Sequence, residues 1–118
     1  MPATGIFAEA RDAIVSRVTA LGLKPVTDPR NARPLTIFIE LPTFTSFTYN
    51  VGDLTFTLRV LGAPPGNQDV ADWLLTTIDT LMADGGLAVV AGQPTLAVIG
   101  SQELPAYDLT VRIASRRN

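Results

Sequence analysis

Between Ile6 and Leu21, apolar residues return every three or four positions, at Ile6, Phe7, Ala10, Ile14, Val18 and Leu21, while Glu9, Asp12, Ser16 and Thr19 fall on the opposite side. That period lays one apolar stripe along a helix. Thr4 stands where an N-cap is expected, and Gly22 where the chain must turn left-handed to end the helix. Arg17, at the margin of the stripe, is expected to lay its methylenes on the core and send its guanidinium outward. A second stripe, Val70, Leu74, Ile78 and Leu81, predicts a helix running to about Asp84. Asp69, Asp72, Thr76 and Asp79 occupy its polar side, Trp73 one flank, and Leu75 with Met82 the other. Asn67 is placed to cap this helix, Asp69 complements the positive end of its dipole, and Gly85 with Gly86 stops it.

Elsewhere the period falls to two. Leu54, Phe56, Leu58 and Val60 alternate with Thr55, Thr57 and Arg59, a pattern that predicts a strand with one face on the core. Residues 43–50 alternate Phe44, Ser46 and Thr48 with Thr45, Phe47 and Tyr49, and with the turn at 50–53 they predict an antiparallel hairpin with that strand. Leu35 to Leu41 is apolar on both faces apart from Thr36 and Glu40, which suits a strand inside a sheet, ended by Pro42. Three further strands are predicted at Leu87 to Val90, Thr95 to Ile99 and Ala106 to Ile113. Pro25, Pro29 and Pro34 remove donors from 24–34, which reads as an extended connection, and Pro65 with Gly66 forms the centre of a type II turn. The order of elements predicts one α+β domain over residues 1–118, a mostly antiparallel sheet with two amphipathic helices packed on it. The pattern leaves the strand order open.

Composition narrows the chemistry. The 118 residues contain neither cysteine nor histidine, which removes disulfides, thiolate nucleophiles, imidazole bases and the usual zinc ligand sets. Apolar residues make up 47% and charged ones only 17%, against about a quarter in ordinary domains, so part of the apolar surface is expected between subunits. The longest apolar runs are far short of the roughly 20 residues of a spanning helix, and no basic segment precedes the first helix, so a soluble protein, cytoplasmic when made, is expected. A net charge of −2 argues against sequence-independent DNA binding.

No catalytic, cofactor-binding or metal-binding residue is assigned. Gly62 to Gly66 joins a strand to a helix, but it has no GxGxxG spacing, and two prolines remove the backbone donors a phosphate needs. Ser16, Ser46, Ser101 and Ser115 lack a histidine to activate them, and Lys24 lies alone in a proline-rich loop. Phe44, Phe47 and Tyr49 near Arg59 lack the basic groove that single-strand binding requires, which favours packing. Asp69, Asp72 and Asp79 share the polar side of a helix and read as a solvated face. Such a face can also meet arginines of a neighbouring subunit, for which Arg59, Arg112, Arg116 and Arg117 are the candidates, and Trp73 can pack in the core or at an interface.

Two segments carry a resemblance: Arg59 to Trp73 (RVLGAPPGNQDVADW) and Leu104 to Arg112 (LPAYDLTVR). A strand, a Gly-Pro-rich turn and an Asn/Asp-capped helix, followed by a late strand opening on Pro-Ala-Tyr, resembles the tail terminator (tail-completion) proteins of long non-contractile-tailed phages, particularly the actinobacterial type. The similarity covers nearly the whole chain as ordered landmarks. It implies a structural virion protein rather than an enzyme, without a cofactor: a homohexameric ring on the head-proximal end of the tail tube. Such a ring ends tube growth and offers the surface that joins the head connector. The implied partners are further copies of the chain, the tail tube protein and a connector or neck protein, with genome DNA passing through the ring, neither sequence-specific nucleic acid recognition nor a membrane, and assembly in the host cytoplasm. The alternatives are another neck or tube subunit and a small ligand-binding or enzymatic α+β domain.

Overall fold

The computed structural model describes residues 5–48, 51–63, 68–84, 87–99 and 102–116, with side chains for all of these except 46–48, 51–52, 102 and 114–116. Helix α1 spans Ile6–Ala20 and helix α2 Gln68–Ala83. The strands are β1 Pro25–Val26, β2 Ile37–Ile39, β3 Thr43–Thr48, β4 Val51–Leu61, β5 Val89–Ile99 and β6 Gln102–Arg116. They form one sheet in the order β1-β2-β4-β6-β5, with β3 also paired to β4. Every pairing is antiparallel except that of β1 with β2. The α+β architecture expected from the sequence is present, with both helices on one face of the sheet.

That face is built by alternation. Leu54, Phe56, Leu58 and Val60 of β4 are fully buried, together with Leu109 and Val111 of β6, and they meet Ala10, Ile14 and Val18 of α1 and Leu74 and Leu81 of α2. Each of the Val, Leu, Ile and Phe side chains among them contributes about 1.5–3 kcal/mol through burial. Helix α1 begins after Gly5, whose φ is 101°, with no side-chain cap; Thr4 lies outside the described residues. It ends as expected at Gly22, φ 81°, where the N–H groups of Gly22 and Leu23 donate to the carbonyls of Thr19 and Val18 at 3.0 and 3.2 Å. Arg17 sends its guanidinium outward to Asp84, 3.5 Å away, which ties the ends of the two helices. The expected features at Asn50, Pro65, Gly66, Asn67, Gly85 and Gly86 lie outside the described residues.

Three strand readings need correction. The connection at 24–34 contains β1, because the carbonyl of Lys24 still accepts the N–H of Ile37 at 2.9 Å although the prolines lack donors. It also holds a 3-10 turn, Pro29–Asn31, capped by Asp28. The strand predicted over 35–41 is confined to Ile37–Ile39: Leu35 adopts φ 64°, its N–H donating to Leu61 at 2.9 Å, and Leu41 is 89% exposed. Within β2 the two-sided apolar pattern is used as expected. Ile37 and Ile39 enter the helix-side core, and Phe38 packs on the other face with Ala32, Leu61, Ala97, Leu104 and Ala106.

The three C-terminal strands are two long ones, β5 and β6, and β5 continues through Gly92, Gln93 and Pro94. Its tolerance of Pro94 follows from the direction of the backbone groups. Gly62 donates to the Pro105 carbonyl on the β4 side of β6, and Arg112 donates to Ala88 on the β5 side. Odd residues of β6 therefore face β4 and even ones face β5. The register Gln93↔Asp108 and Thr95↔Ala106 then turns the backbone groups of Gly92, Pro94, Leu96 and Val98 away from the sheet. Proline sits where no sheet donor is needed.

The turn from β4 toward α2 rests on Gly62, where an added Cβ would lie 2.7 Å from the Pro105 carbonyl oxygen and 2.8 Å from Val70 Cγ1. The Gly62→Ala protein should lose about 1–3 kcal/mol of unfolding free energy in denaturant titration, because backbone must move. Gly92→Ala should lose less, since the nearest atoms there are the side-chain ends of Leu109 and Tyr107.

Candidate functional site

The sequence-derived candidates separate onto the two faces of the sheet. Asp69, Asp72 and Asp79 are exposed on α2, and Gln68 Nε2 donates to Asp72 Oδ1 at 2.9 Å. Arg59 lies on the helix-free face, directly across the β4–β6 ladder from Asp108. Its Nε and Nη2 donate to the two Asp108 carboxylate oxygens at 2.8 and 3.2 Å, and Glu40 Oε1 is 3.5 Å from Nη2. The hydrogen bond to Asp108 raises the Arg59 pKa above its ordinary value. Arg112, on the same face, reaches Asp53 at 2.5 Å. Arg59 and Arg112 are thus held by carboxylates of their own chain and sit on the face away from α2. The Arg116 side chain and Arg117 lie outside the described residues.

Trp73 is half-buried at the edge of the core and lines a cleft of about 230 Å³ with Gly22, Leu23, Lys24, Leu35 and Ile37. A groove of about 250 Å³ runs between α2 and the edge strand β5, floored by Gly92, Tyr107 and Leu109 and walled by Ile78, Met82 and Val90. A polar cleft of about 230 Å³ on the opposite sheet face is lined by Thr57, Gln93, Asp108 and Thr110, but its carboxylate is already occupied by Arg59. Among the described residues no group of three His, Cys, Asp or Glu could hold a metal ion, and no helix is long and apolar enough to cross a membrane.

Sequence reasoning missed where the apolar surface gathers. Leu75, Met82, Val90, Leu96 and Val98 are exposed along α2 and β5, and Phe7, Leu41 and Phe44 toward the opposite margin of the sheet. The signal was present in β5, which carries apolar residues on both faces and no charge across eleven residues. Treating it as two short strands hid that pattern. Compared with family models and with curated proteins, the chain has no match.

Two outcomes follow from this geometry. Removing the Arg59 side chain by Arg59→Ala should cost about 1–2 kcal/mol, less than a buried pair, because the guanidinium is about one-third exposed. A double-mutant cycle with Asp108→Ala, read by denaturant titration, should recover part of that loss as coupling. Reversing all three charges at Asp69, Asp72 and Asp79 should leave the monomer folded by circular dichroism but impair the ring assembly that the resemblance implies; unimpaired assembly refutes a role for that face.

Proposed function

We propose that this chain is a structural subunit of a phage virion, forming a homohexameric ring at the head-proximal end of the tail tube. The ring ends tube polymerisation and presents the surface to which the head connector joins. The observation that carries the reading is the meeting of the two segments that bear the resemblance to tail terminators. Leu61 pairs with Ala106 in the β4–β6 ladder, and the Gly62 N–H donates to the Pro105 carbonyl at 2.7 Å. The end of β4 and the Pro-Ala-Tyr start of the β6 ladder are thus adjacent, which supports reading the two segments together.

Two unlike sheet margins add support. A ring with head-to-tail contacts needs two different surfaces on each subunit. Strand β5 forms one margin, and β1 with β3 forms the other. A tube of identical rings presents the same top after each addition, so a terminator must match it on one face and mismatch it on the other. Opposite ends of β4 offer surfaces for those tasks: residues 24–34 with Gly62 and Ala63 at one end, and the paired ends of β3 and β4, Thr48 and Val51, at the other. A phage lacking this chain should make filled heads and separate, often overlong tails by electron microscopy, and purified protein added to tails of correct length should restore joining. Normal-length tails already attached to heads contradict the terminator role and favour another structural one.

A further inference from the structure

We infer that the flank formed by α2 and β5 of one copy receives the Phe7–Phe44 edge of a second copy, in a head-to-tail contact that repeats around the ring. This rests on the ring reading above and assigns its interface. Leu75 and Met82 lie two turns apart on the side of α2 that faces β5, where Met82 and Val90 wall the groove over Gly92. With Leu96 and Val98 these side chains are 56% to 66% exposed. They leave on the order of 500 Å² of apolar surface on one flank, at the upper range for a monomer and over half of the roughly 800 Å² per partner that a stable interface buries.

The docking edge lies across the sheet. Phe44 pairs in register with Leu54 and so projects on the helix-bearing face, where its ring meets that of Phe7 at 5.2 Å and 72°. Phe44 is 60% exposed. The Leu96 and Val98 side chains alternate onto the same helix-bearing face of β5, since Pro94, two residues before Leu96, stands opposite Tyr107 on that side. Two copies bring apolar surface to apolar surface when the second is staggered along the strands, because the ladders set Phe44 level with Ile113 of β6 but Leu96 and Val98 level with Pro105 and Glu103. Their strand directions also agree: the antiparallel pairings from β3 through β4 and β6 to β5 set the β5 of one copy antiparallel to the β3 of the next. Charge is complementary at the rim. Asp72 and Asp79 are three and four positions from Leu75 on α2, and Arg11 stands one turn from Phe7, in an exposed contact with its neighbour Asp12.

The edge strand also disfavours the simplest competitor, a two-fold dimer through β5. Pro94 is the middle residue of Val89–Ile99, so a pairing centred on the strand sets Pro94 against Pro94, on the row where its N–H is missing.

The test uses the full chain and two variants, one dead on each surface: Val90→Lys with Val98→Lys on the flank, and Phe44→Lys on the edge. Each variant alone should self-associate at least about tenfold more weakly than the wild type in sedimentation. Their equimolar mixture should form heterodimers and stop there, because one intact junction remains. Leu75→Glu and Leu41→Glu form a second pair at exposed positions, so a folding defect in the first pair does not decide the outcome. If the wild type forms rings and either variant pair still does, or the mixture of folded variants stays monomeric, the interface is wrong while the ring reading stands. A wild type that forms no ring, alone or on tail tubes, overturns both.

Discussion

Strands β4 and β6 pair without interruption from Val51↔Arg116 to Leu61↔Ala106, and the rest of the molecule is arranged around that ladder. At about 3.3 Å per residue, the fifteen residues of β6 account for nearly all of the 47 Å long dimension. A register with period two cannot slip by one residue without exchanging its faces. Here such a slip would send Phe56 and Leu58 to solvent and Thr57 and Arg59 into the helices. The ladder therefore fixes where α1 and α2 dock, and it sets Arg59 against Asp108 on the other face. The apolar face supplies most of the stabilisation; the ion pair, partly exposed, adds less and reinforces the register.

Beyond the end of β4, β6 still pairs with β5, from Gln102↔Ile99 to Pro105↔Leu96. One face of this extension is covered by the chain's own Ala32 and Leu61, while the other leaves Leu96 and Val98 exposed. At the opposite margin β3 extends the sheet only along the first half of β4 and leaves Phe44 beside Phe7. The proposed ring uses this asymmetry. A subunit whose two margins differ in shape and match in polarity can join its copies in one direction, and the ring closes when the rotation per step divides a full turn.

The alternation of Leu54, Phe56, Leu58 and Val60 was legible because its neighbours Thr55, Thr57 and Arg59 make the contrast sharp, and the two helix stripes were legible for the same reason. Gly22 was legible because few residues accept φ 81° at a helix end. The partners of Arg59 and Arg112 were not, because they depend on the alignment of β4 with β6, and no local pattern encodes a pairing across 49 or 59 residues. The continuity of β5 was hidden by Gly92 and Pro94, which read as breakers until the direction of each backbone group is known. The second core cluster was missed because Ala32, Ala97 and Ala106 are small residues whose burial comes from a loop folding over the sheet. The candidate acidic face was visible in α2, whereas the exposed apolar flank beside it required the helix and β5 to be placed together.

In the proposed assembly, unlike margins of one subunit meet in a closed ring. Native mass measurement of the purified chain, with class-averaged electron micrographs of the same sample, tests it most directly. A closed ring gives a species of six 12.6 kDa copies with an open centre, either in solution or once tail tubes are supplied. A closed two-fold dimer, or a chain that stays monomeric in solution and binds tubes as single copies, contradicts it.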